Sequence, residues 1–536
     1  MKKVPVLIVG SGPVGLGLAA DLGWRGIECL LVEQNDGTIT HPRATSVNSR
    51  SMEFCRRWGI AEKVREAGTP PDYPATIVYC TTLQGKEIAR LERKAQGGRA
   101  VLPHTPEPIQ RCNQIWFDPI LRELALSFPT ISLRYRTKFE DYETKSDSVV
   151  CTIRNLETDE VETIEAQYLV ACCGGGSVVP KRVAGRLKGV SVLSYHLNIF
   201  MKIPLLWEHH DKGKAGFYYF VDVEANHPNL VELDGREFWR LAFNNETKRL
   251  TKDDIDIDAG VKKFLGPDID YQVLSVTPWT CRGLVAEKWS EGPVFIAGDS
   301  AHQHGPTGGF GMNTGMADAT NLSWKLAAMV QGWGGPNLLP SYDIERQPVA
   351  KVSVDEATDN MISNRFDFVD ENDLRRVDED GPEADAIRKD FAEKLLAKKS
   401  KQFLSEGIAL GYRYDNSPVT VSDGTPEPEG SISKYFQNAR PGSRAPHAMM
   451  ADGRSTIDLF GRGFVLLRFR GAKDETLAKA AAQRGVPFET VDIDDEKIAD
   501  LYAGRLVLVR PDGHVSWRSD TAPTDALAVI DQVRGA

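Results

Sequence analysis

The chain begins with a short apolar run, Val4 to Val9, that is rich in β-branched residues and contains no charge. Such a run is typical of a strand buried on both faces, as in a parallel sheet. Val14, Leu18 and Leu22 follow at helical spacing, and a second apolar run from Cys29 to Val32 comes next. This order predicts a β-α-β unit at the start of the chain.

Two later apolar runs, Tyr168 to Cys173 and Val294 to Ala297, are each followed by glycines and fit further strands of the same sheet. The stretches before and between them, Ile77 to Glu87 and Leu187 to Val276, contain short alternating and aromatic segments. These segments are typical of antiparallel strands. We therefore expect a discontinuous, mainly parallel domain into which a largely antiparallel sheet is inserted.

The second half of the chain predicts a long helix after Gly311, then an exposed and charged helical region, and finally a small α/β domain that follows a stretch rich in Pro, Gly and Ser. The predicted boundaries are 1–75, 110–186 and 277–365 for the discontinuous domain, 76–109 and 187–276 for the inserted sheet, 366–414 for a helical connection, 415–446 for a linker and 447–536 for the last domain.

The composition excludes several classes of function. Among 536 residues, 65 Lys and Arg stand against 75 Asp and Glu, which gives a formal net charge of −10. This charge repels nucleic-acid phosphates and anionic lipid, and no apolar stretch has the length of a membrane span, so we expect neither partner. The eight cysteines lack the spacing of a disulfide scaffold or a zinc site. We expect reduced thiols and a cytoplasmic location.

A glycine motif lies between the first predicted strand and the first predicted helix. Gly10, Gly12 and Gly15 match the GxGxxG pattern, Pro13 begins the helix, and Glu33 ends the next strand. In this pattern the glycines allow a tight turn, close approach of a diphosphate and close packing of helix on strand, while the acid accepts ribose hydroxyls. The motif predicts a dinucleotide site, and at this point FAD and NAD are both possible.

A second motif follows the strand from Val294 to Ala297. It contains Asp299 directly after a glycine, and then the glycine-rich stretch from Gly305 to Asn313, from which the long helix starts. The acid can bind another sugar-like hydroxyl, and the helix N-terminus would suit an anionic ring. The alternative is a glycine-rich loop without chemistry. Together the two acids indicate one long cofactor.

These segments resemble the class A flavoprotein aromatic hydroxylases, in particular the branch with phenol, chlorophenol and polyketide hydroxylases. The resemblance covers nearly the whole chain and rests on further matches at His41 to Ala44, Asn48 to Glu53, Gln114 ahead of Leu121, Thr277 to Trp279, Ser341 to Pro348, and Pro441 to His447. It implies an α/β fold with a Rossmann-like FAD-binding domain, an inserted substrate-binding β-sheet and a C-terminal thioredoxin-like domain. No CxxC occurs in that last domain, so we expect no redox role there.

The resemblance also implies roles for individual residues. The ADP half of FAD would be bound at Gly10, Gly12, Pro13, Gly15 and Glu33. FAD would also be contacted by Arg43 and Gln114, and its ribityl chain would be held by Asp299. Its ring would be lined by Pro306, Gly309, Gly311, Met312 and Asn313. The family usually has an Asp-Gly pair after the middle strand, which serves both flavin and reduced nicotinamide. Here Cys173 occupies the Asp position. A role as a small buried residue is the alternative for this cysteine.

The implied reaction is hydroxylation of a phenolic or related aromatic substrate with NAD(P)H and O2, by way of a flavin C4a-hydroperoxide. A base or hydrogen-bond acceptor should lie near the substrate ring, but the stretch Thr45 to Val47, where some relatives have an acid, contains no carboxylate. The catalytic group is therefore unidentified. Candidates for the substrate pocket are Tyr218, Tyr219, His196, Asp222 and Trp239, although aromatic strands more often form core.

Other functions remain possible on the same residues. A Baeyer–Villiger or epoxidising monooxygenase could use this scaffold, as could an FAD-dependent dehydrogenase or reductase, which Cys173 would suit, or a flavin-binding partner protein without turnover. His302 and His304 lack a third ligand at a convincing spacing, so we expect no metal. By analogy with the family, the protein would form a homodimer.

Overall fold

The computed structural model describes residues 1–93, 96–363, 365–399 and 404–536. Its first sheet is the predicted parallel one. In spatial order it contains Ser290–Glu291, Val294–Ile296, Val161–Ala171, Lys2–Val9, Cys29–Val32 and Ile131–Arg134, with Thr137–Thr144 and Val149–Asn155 as an antiparallel extension. The four inner strands pair in parallel, and their apolar residues are buried on both faces, which explains the uncharged runs in the sequence.

Some helices pack against this sheet and others against the second sheet described below. In the first 330 residues the helices are Pro13–Trp24, Ser49–Arg57, Ala61–Ala67, Gln114–Leu126, Val178–Val183, Ile257–Leu265 and Phe310–Val330. Later come Ser341–Ser363, Glu371–Arg376, Pro382–Lys399 and Glu406–Leu410. Short 3-10 turns occupy Leu206–Glu208, Gly298–Ser300, Thr307–Gly309 and Thr456–Leu459, and a two-stranded sheet joins Ser46–Val47 to Gln110–Arg111.

The second sheet is mostly antiparallel and has eight strands. Their spatial order is His302–Gln303, Gln272–Ala286, Leu187–Lys202, Phe238–Asn245, Asn229–Glu232, Phe217–Phe220, Ile77–Cys80 and Glu87–Leu91. The strands at 272–286 and 302–303 continue this sheet past the predicted end of the insertion at residue 276.

The two faces of the second sheet have different neighbours. One face, with Tyr218 and Trp239, forms a buried core with Phe264 of the helix Ile257–Leu265. The opposite face, with Phe200 and Phe238, is packed by Trp116 of the helix Gln114–Leu126. Side chains that alternate along these strands therefore lie in two separate environments. Only the second face, which we call the aromatic face, meets the first domain through that helix.

The C-terminal domain has a four-stranded sheet in the order Phe488–Ile493, Phe464–Phe469, Leu506–Val509 and Val515–Ser519, of which the first two are parallel and the others antiparallel. The helices Thr476–Gln483, Glu496–Tyr502 and Ala526–Val533 complete a β-α-β-α-β-β-α order. This domain shares a buried core with Trp324 of the helix Phe310–Val330, whose ring lies 6.1 Å from that of Phe464.

Candidate cofactor and substrate site

The glycine turn after the first strand has the geometry of a diphosphate site. Gly10 has φ +101°, and a Cβ there would lie 2.7 Å from the carbonyl oxygen of Cys172. A Cβ at Gly15 would lie 2.0 Å from the carbonyl oxygen of Gly10, so helix and turn are in direct contact. A Cβ at Gly12 would meet no atom within 4 Å. Gly10 and Gly15 thus pack tightly against the protein, whereas the space beside Gly12 is open. The helix Pro13–Trp24 begins at that opening without a side-chain cap, so its first N–H groups are available to a ligand.

Glu33 lies beside this turn. Its carboxylate accepts hydrogen bonds of 2.9 Å from the backbone N–H groups of Ser11 and Asn35. These bonds fix the carboxylate at the end of the second strand of the unit and leave it half-buried. Held in this way, Glu33 can accept hydrogen bonds from a ribose, which is the role predicted for it.

The Gly-Asp segment lies directly against the glycine turn, although almost 290 residues separate them in sequence. A Cβ at Gly298 would lie 2.9 Å from a methyl group of Val14, and Gly298 has φ +59°. Asp299, the next residue, lines a cleft that solvent can enter. The surrounding protein removes part of its hydration and so raises the pKa of its carboxyl, while the nearby His302 and Arg43 lower that pKa. The structure therefore brings the two predicted halves of the cofactor site together.

Arg43 and Gln114 lie in the same region. Arg43 is exposed and interacts electrostatically with both Asp299 and Asp118, and within the described residues its guanidinium has no hydrogen bond or salt bridge. Gln114 donates a hydrogen bond of 3.0 Å from Nε2 to Asp118. Because Asp118 accepts, the amide oxygen of Gln114 points elsewhere and is free to accept a bond from a ligand.

Asp118 is a buried residue that the sequence reasoning missed. Burial raises the pKa of this carboxyl to about 7, and Oδ1 has no partner among the described groups. A single acid four residues after a predicted ligand, on the same helix face, is a signal that could have identified it.

The glycine-rich loop that follows has a conformation that requires glycine. Gly308 and Gly309 have φ values of +82° and +65°, and the long helix starts at Phe310 without a side-chain cap, which leaves its first N–H groups free for a ligand. Pro306 is exposed at the start of this loop. Asn313 supports the loop: its Nδ2 donates to the carbonyl oxygens of Ser46 and Gly309, at 2.9 and 2.7 Å.

The remaining two predicted ring contacts, Gly311 and Met312, belong to the first turn of this helix. A Cβ at Gly311 would lie 3.6 Å from the His304 side chain, and Met312 is buried. The open space at Gly12, the exposed and unpaired Arg43, the accessible Asp299 and the uncapped helix together fit a long cofactor with a diphosphate at one end and a flat ring at the other.

The structure divides the predicted substrate residues between two places. Tyr218 and Trp239 are fully buried in the core on the far side of the second sheet. Tyr219 and His196 lie on the aromatic face, as the alternation with Tyr218 and with Phe200 requires. Asp222 lies in the turn that follows, where its carboxylate pairs with Lys263 and accepts a backbone bond from Ala225.

Three further residues on or near the aromatic face were not predicted as site residues. Arg240 lies beside Tyr219, and among the described residues it makes no hydrogen bond or salt bridge. Phe217 lies under the guanidinium of Arg111, with 5.0 Å between the guanidinium carbon and the ring centre. His41 packs edge-on against Phe200, with ring centres 6.5 Å apart. The sequence contained one signal that could have identified Arg240: it is the single basic residue in the apolar and aromatic strand Phe238–Asn245.

Comparisons with known proteins agree with this arrangement. Residues 3–357 match the family model described as an FAD binding domain, and residues 438–535 match the aromatic-ring hydroxylase C-terminal domain. The chain belongs to the FAD-dependent aromatic-ring hydroxylases. This result confirms the predicted family, the FAD cofactor and the aromatic monooxygenase activity, whereas the Baeyer–Villiger and dehydrogenase alternatives find no support.

Individual relatives resemble the hydroxylase over its full length. A putative polyketide hydroxylase from Streptomyces halstedii is 31% identical, over 97% of this chain and 94% of that protein. A phenol 2-monooxygenase from Pseudomonas sp. (strain EST1001) is 30% identical, over 99% of this chain and 93% of that protein. A solved structure of chromopyrrolic acid-soaked RebC with bound 7-carboxy-K252c is 39% identical, with a TM-score of 0.91, over 100% of this chain and 99% of that one.

Cys173, where the family pattern has an acid, lies within the cofactor region of the hydroxylase. Its side chain interacts with Ser177 and Ser300, and Glu33 is close enough to affect it electrostatically. Burial raises the pKa of the Cys173 thiol. The thiol is therefore neutral, and Cys173 adds no charge beside Glu33.

His302 and His304 form part of a buried hydrogen-bond network. His302 Nε2 lies 2.6 Å from Asp318, which also accepts a bond of 2.8 Å from Arg346. Burial lowers the pKa of His304 well below its ordinary value. In the part of the chain that the structure describes, no group of three or more His, Cys, Asp or Glu side chains could hold a metal ion. No helix there combines the length and apolar character needed to cross a bilayer.

Proposed function

We propose that this hydroxylase oxidises a flat aromatic compound that carries an anionic group, and that Arg240 binds the anion. The observation behind this proposal is the unpaired guanidinium on the aromatic face. Burial lowers the pKa of Arg240, and its Nε has no partner. The side chain is half-buried, and leaving its buried Nε without a partner is costly, whereas a carboxylate or phenolate would provide charge-assisted hydrogen bonds.

The neighbouring rings favour a flat ligand. Phe217 and Tyr219 are nearly parallel, with 12° between their planes and 6.4 Å between ring centres. Tyr219 stacks in turn on Tyr79, at 15° and 5.1 Å. Tyr79 is buried and supports Tyr219, while the half-buried rings of Phe217 and Tyr219 can offer an apolar surface to a planar ring system.

The cofactor residues would act as follows. Gly12 and the N-terminus of its helix would bind the diphosphate of FAD, Glu33 the ribose, and Asp299 the ribityl chain. The free N–H groups after Gly309 would bind the flavin ring. FAD, when bound and reduced by NAD(P)H, supplies an electrophilic oxygen atom from O2. The role of the protein is then to hold the substrate ring, to exclude water from the cleft and to provide an acceptor for the proton of the substrate.

The names of two relatives support the substrate class. The RebC structure was obtained with chromopyrrolic acid and contains 7-carboxy-K252c, so both of its ligands are named as carboxylic acids. The phenol monooxygenase relative is named for a hydroxylated ring. A hydroxylated aromatic carboxylate combines both properties. Arg240 could bind its carboxylate, and the aromatic side chains beside Arg240 could contact its ring.

The test is to screen planar hydroxyaromatic acids for stimulated NAD(P)H consumption and for a product that gains one atom from ¹⁸O₂. We expect Arg240→Met to raise KM for the anionic substrate by about 30-fold, equivalent to about 2 kcal/mol. Arg236→Met is the matched control, because Arg236 is exposed four residues earlier, and it should leave KM unchanged. An equal effect of both variants, or a product without labelled oxygen, would refute the proposal.

We also propose that the protein is a cytoplasmic homodimer. All eight cysteines are free, which agrees with a reducing compartment. Light scattering of the purified protein tests the dimer: a mass of one chain at micromolar concentration excludes it.

A further inference from the structure

The group that accepts a hydrogen bond from the substrate ring can be inferred from the contacts of His41. This inference rests on the proposed function, because it assumes that the substrate carries a ring hydroxyl and lies on the aromatic face. Attack by an electrophilic oxygen is easier when the ring hydroxyl donates its proton to an acceptor, because the ring then becomes richer in electrons.

The protonation of His41 follows from its neighbours. Ser275 Oγ lies 3.0 Å from the carbonyl oxygen of Thr40, to which it donates its single proton. Ser275 Oγ also lies 2.8 Å from His41 Nδ1 and must accept there. Nδ1 of His41 therefore carries the hydrogen, and Nε2 presents a lone pair. This nitrogen is an acceptor by necessity.

The Nε2 atom of His41 has no partner. It is buried, and no described group forms a hydrogen bond with it. Burial first, and then the charges of Arg240 and Arg43, lower the pKa of His41 to about 4, so the ring is neutral at working pH. A buried acceptor without a donor costs about 1–3 kcal/mol, and the hydroxyl of a ligand would recover this free energy.

The location of His41 connects the two halves of the site. Arg43 belongs to the cofactor region and Arg240 to the aromatic face, and both are close enough to shift the pKa of His41. The ring of His41 also meets Phe200 edge-on, with 81° between the planes. A substrate whose anion binds Arg240 would thus place its ring next to His41 and on the side toward the cofactor.

Two of the other predicted candidates already have polar partners. His196 Nε2 lies 2.8 Å from Ser194 Oγ, and its ring is 5.0 Å from that of Trp279. Asp222 is paired with Lys263. We propose that His41 Nε2 accepts a hydrogen bond from the ring hydroxyl of the substrate that Arg240 binds.

The test measures binding to the FAD-loaded protein without NAD(P)H, by the change in flavin absorbance. Three probes form a matched set: 4-hydroxy-2-naphthoate, 2-naphthoate, which lacks the hydroxyl, and 1-naphthol, which lacks the carboxylate. We expect the wild type to prefer the hydroxy acid over 2-naphthoate by about 5- to 10-fold, as for one net hydrogen bond. His41→Phe should abolish this preference.

Two further variants separate the acceptor role from a structural one. His41→Gln can still present an amide oxygen and should keep part of the preference. Ser275→Ala no longer fixes the proton on Nδ1 and should lose most of it, while flavin content and melting temperature stay near those of the wild type. A preference for the hydroxyl that is unchanged in His41→Phe and His41→Gln would overturn the role of His41.

Failure of the proposed function would look different. If Arg240→Met binds 4-hydroxy-2-naphthoate more tightly than 1-naphthol by the same factor as the wild type, Arg240 does not bind the anion. The role of His41 is then still tested by the comparison of 4-hydroxy-2-naphthoate with 2-naphthoate. If the wild type binds none of the three probes at millimolar concentration, both proposals fail.

Discussion

Arg510 and Glu345 are joined by two parallel hydrogen bonds of 2.6 Å, across the contact between the C-terminal domain and the helix Ser341–Ser363. Lys325 donates a further bond of 2.7 Å to Glu345, and Asp512 accepts from Arg510. All four side chains are buried, and their charges balance. The C-terminal domain thus completes a buried charge network with two helices of the FAD-binding domain.

We expect Arg510→Met to destabilise the protein by about 3–5 kcal/mol, because the two buried carboxylates of Glu345 and Asp512 would lose the cation that bonds to both. Unfolding by urea, followed by fluorescence, measures this loss. Arg484→Met serves as the control: Arg484 also pairs with an acid, Asp531, but on the surface, and its loss should cost less than about 1 kcal/mol. Similar losses for both variants would contradict a structural role for the buried network.

Gly12→Val should separate cofactor binding from folding. Because Gly12 has φ −72° and open space at its Cβ, we expect the apoprotein to lose no more than about 1 kcal/mol of stability. FAD affinity should fall by about 100-fold, since the new side chain fills the path of the diphosphate. Gly15→Ala is the opposite case, because its Cβ would lie 2.0 Å from a backbone oxygen, and it should impair folding itself. Unaltered FAD affinity in Gly12→Val would exclude this turn as the diphosphate site.

The pKa of Asp118, raised by burial to about 7, predicts a pH dependence of apoprotein stability. The folded state keeps this proton up to about pH 7, whereas the unfolded chain releases it near pH 4, so the stability contributed at low pH is lost as pH rises toward neutrality. We expect Asp118→Asn to gain about 2 kcal/mol relative to the wild type between pH 5.5 and pH 8. The measurement is urea unfolding of both apoproteins at the two pH values. A constant difference would show that Asp118 is ionised throughout.

Local patterns in the sequence predicted much of the fold. The strands Lys2–Val9, Cys29–Val32 and Val294–Ile296 lie where the apolar runs indicate, and the long helix starts one residue before Gly311. Glu33 and Asp299 also lie where their motifs placed them, because each comes within three residues of the end of a strand in the parallel sheet. In such cases a single segment of chain determines both the element and the position of the side chain.

The sequence could not reveal relationships that depend on the packing of distant segments. Tyr218 and Tyr219 are neighbours in one strand, but only the packing of the sheet shows that Tyr218 belongs to the core with Phe264 whereas Tyr219 is half-buried on the aromatic face. His41 became a candidate only through its bond to Ser275, which is 234 residues away. Arg240 became one only because the fold gives it no partner.

The central claim is that one FAD lies across the glycine turn and the Gly-Asp segment. Titration of the apoprotein with FAD and with FMN, followed by flavin fluorescence, tests it most directly. We predict one FAD per chain, bound at least about 100-fold more tightly than FMN, with Gly12→Val weakening FAD more than FMN and Asp299→Ala weakening both flavins. Equal affinity for FAD and FMN, or the same response of both flavins to Gly12→Val, would contradict the claim.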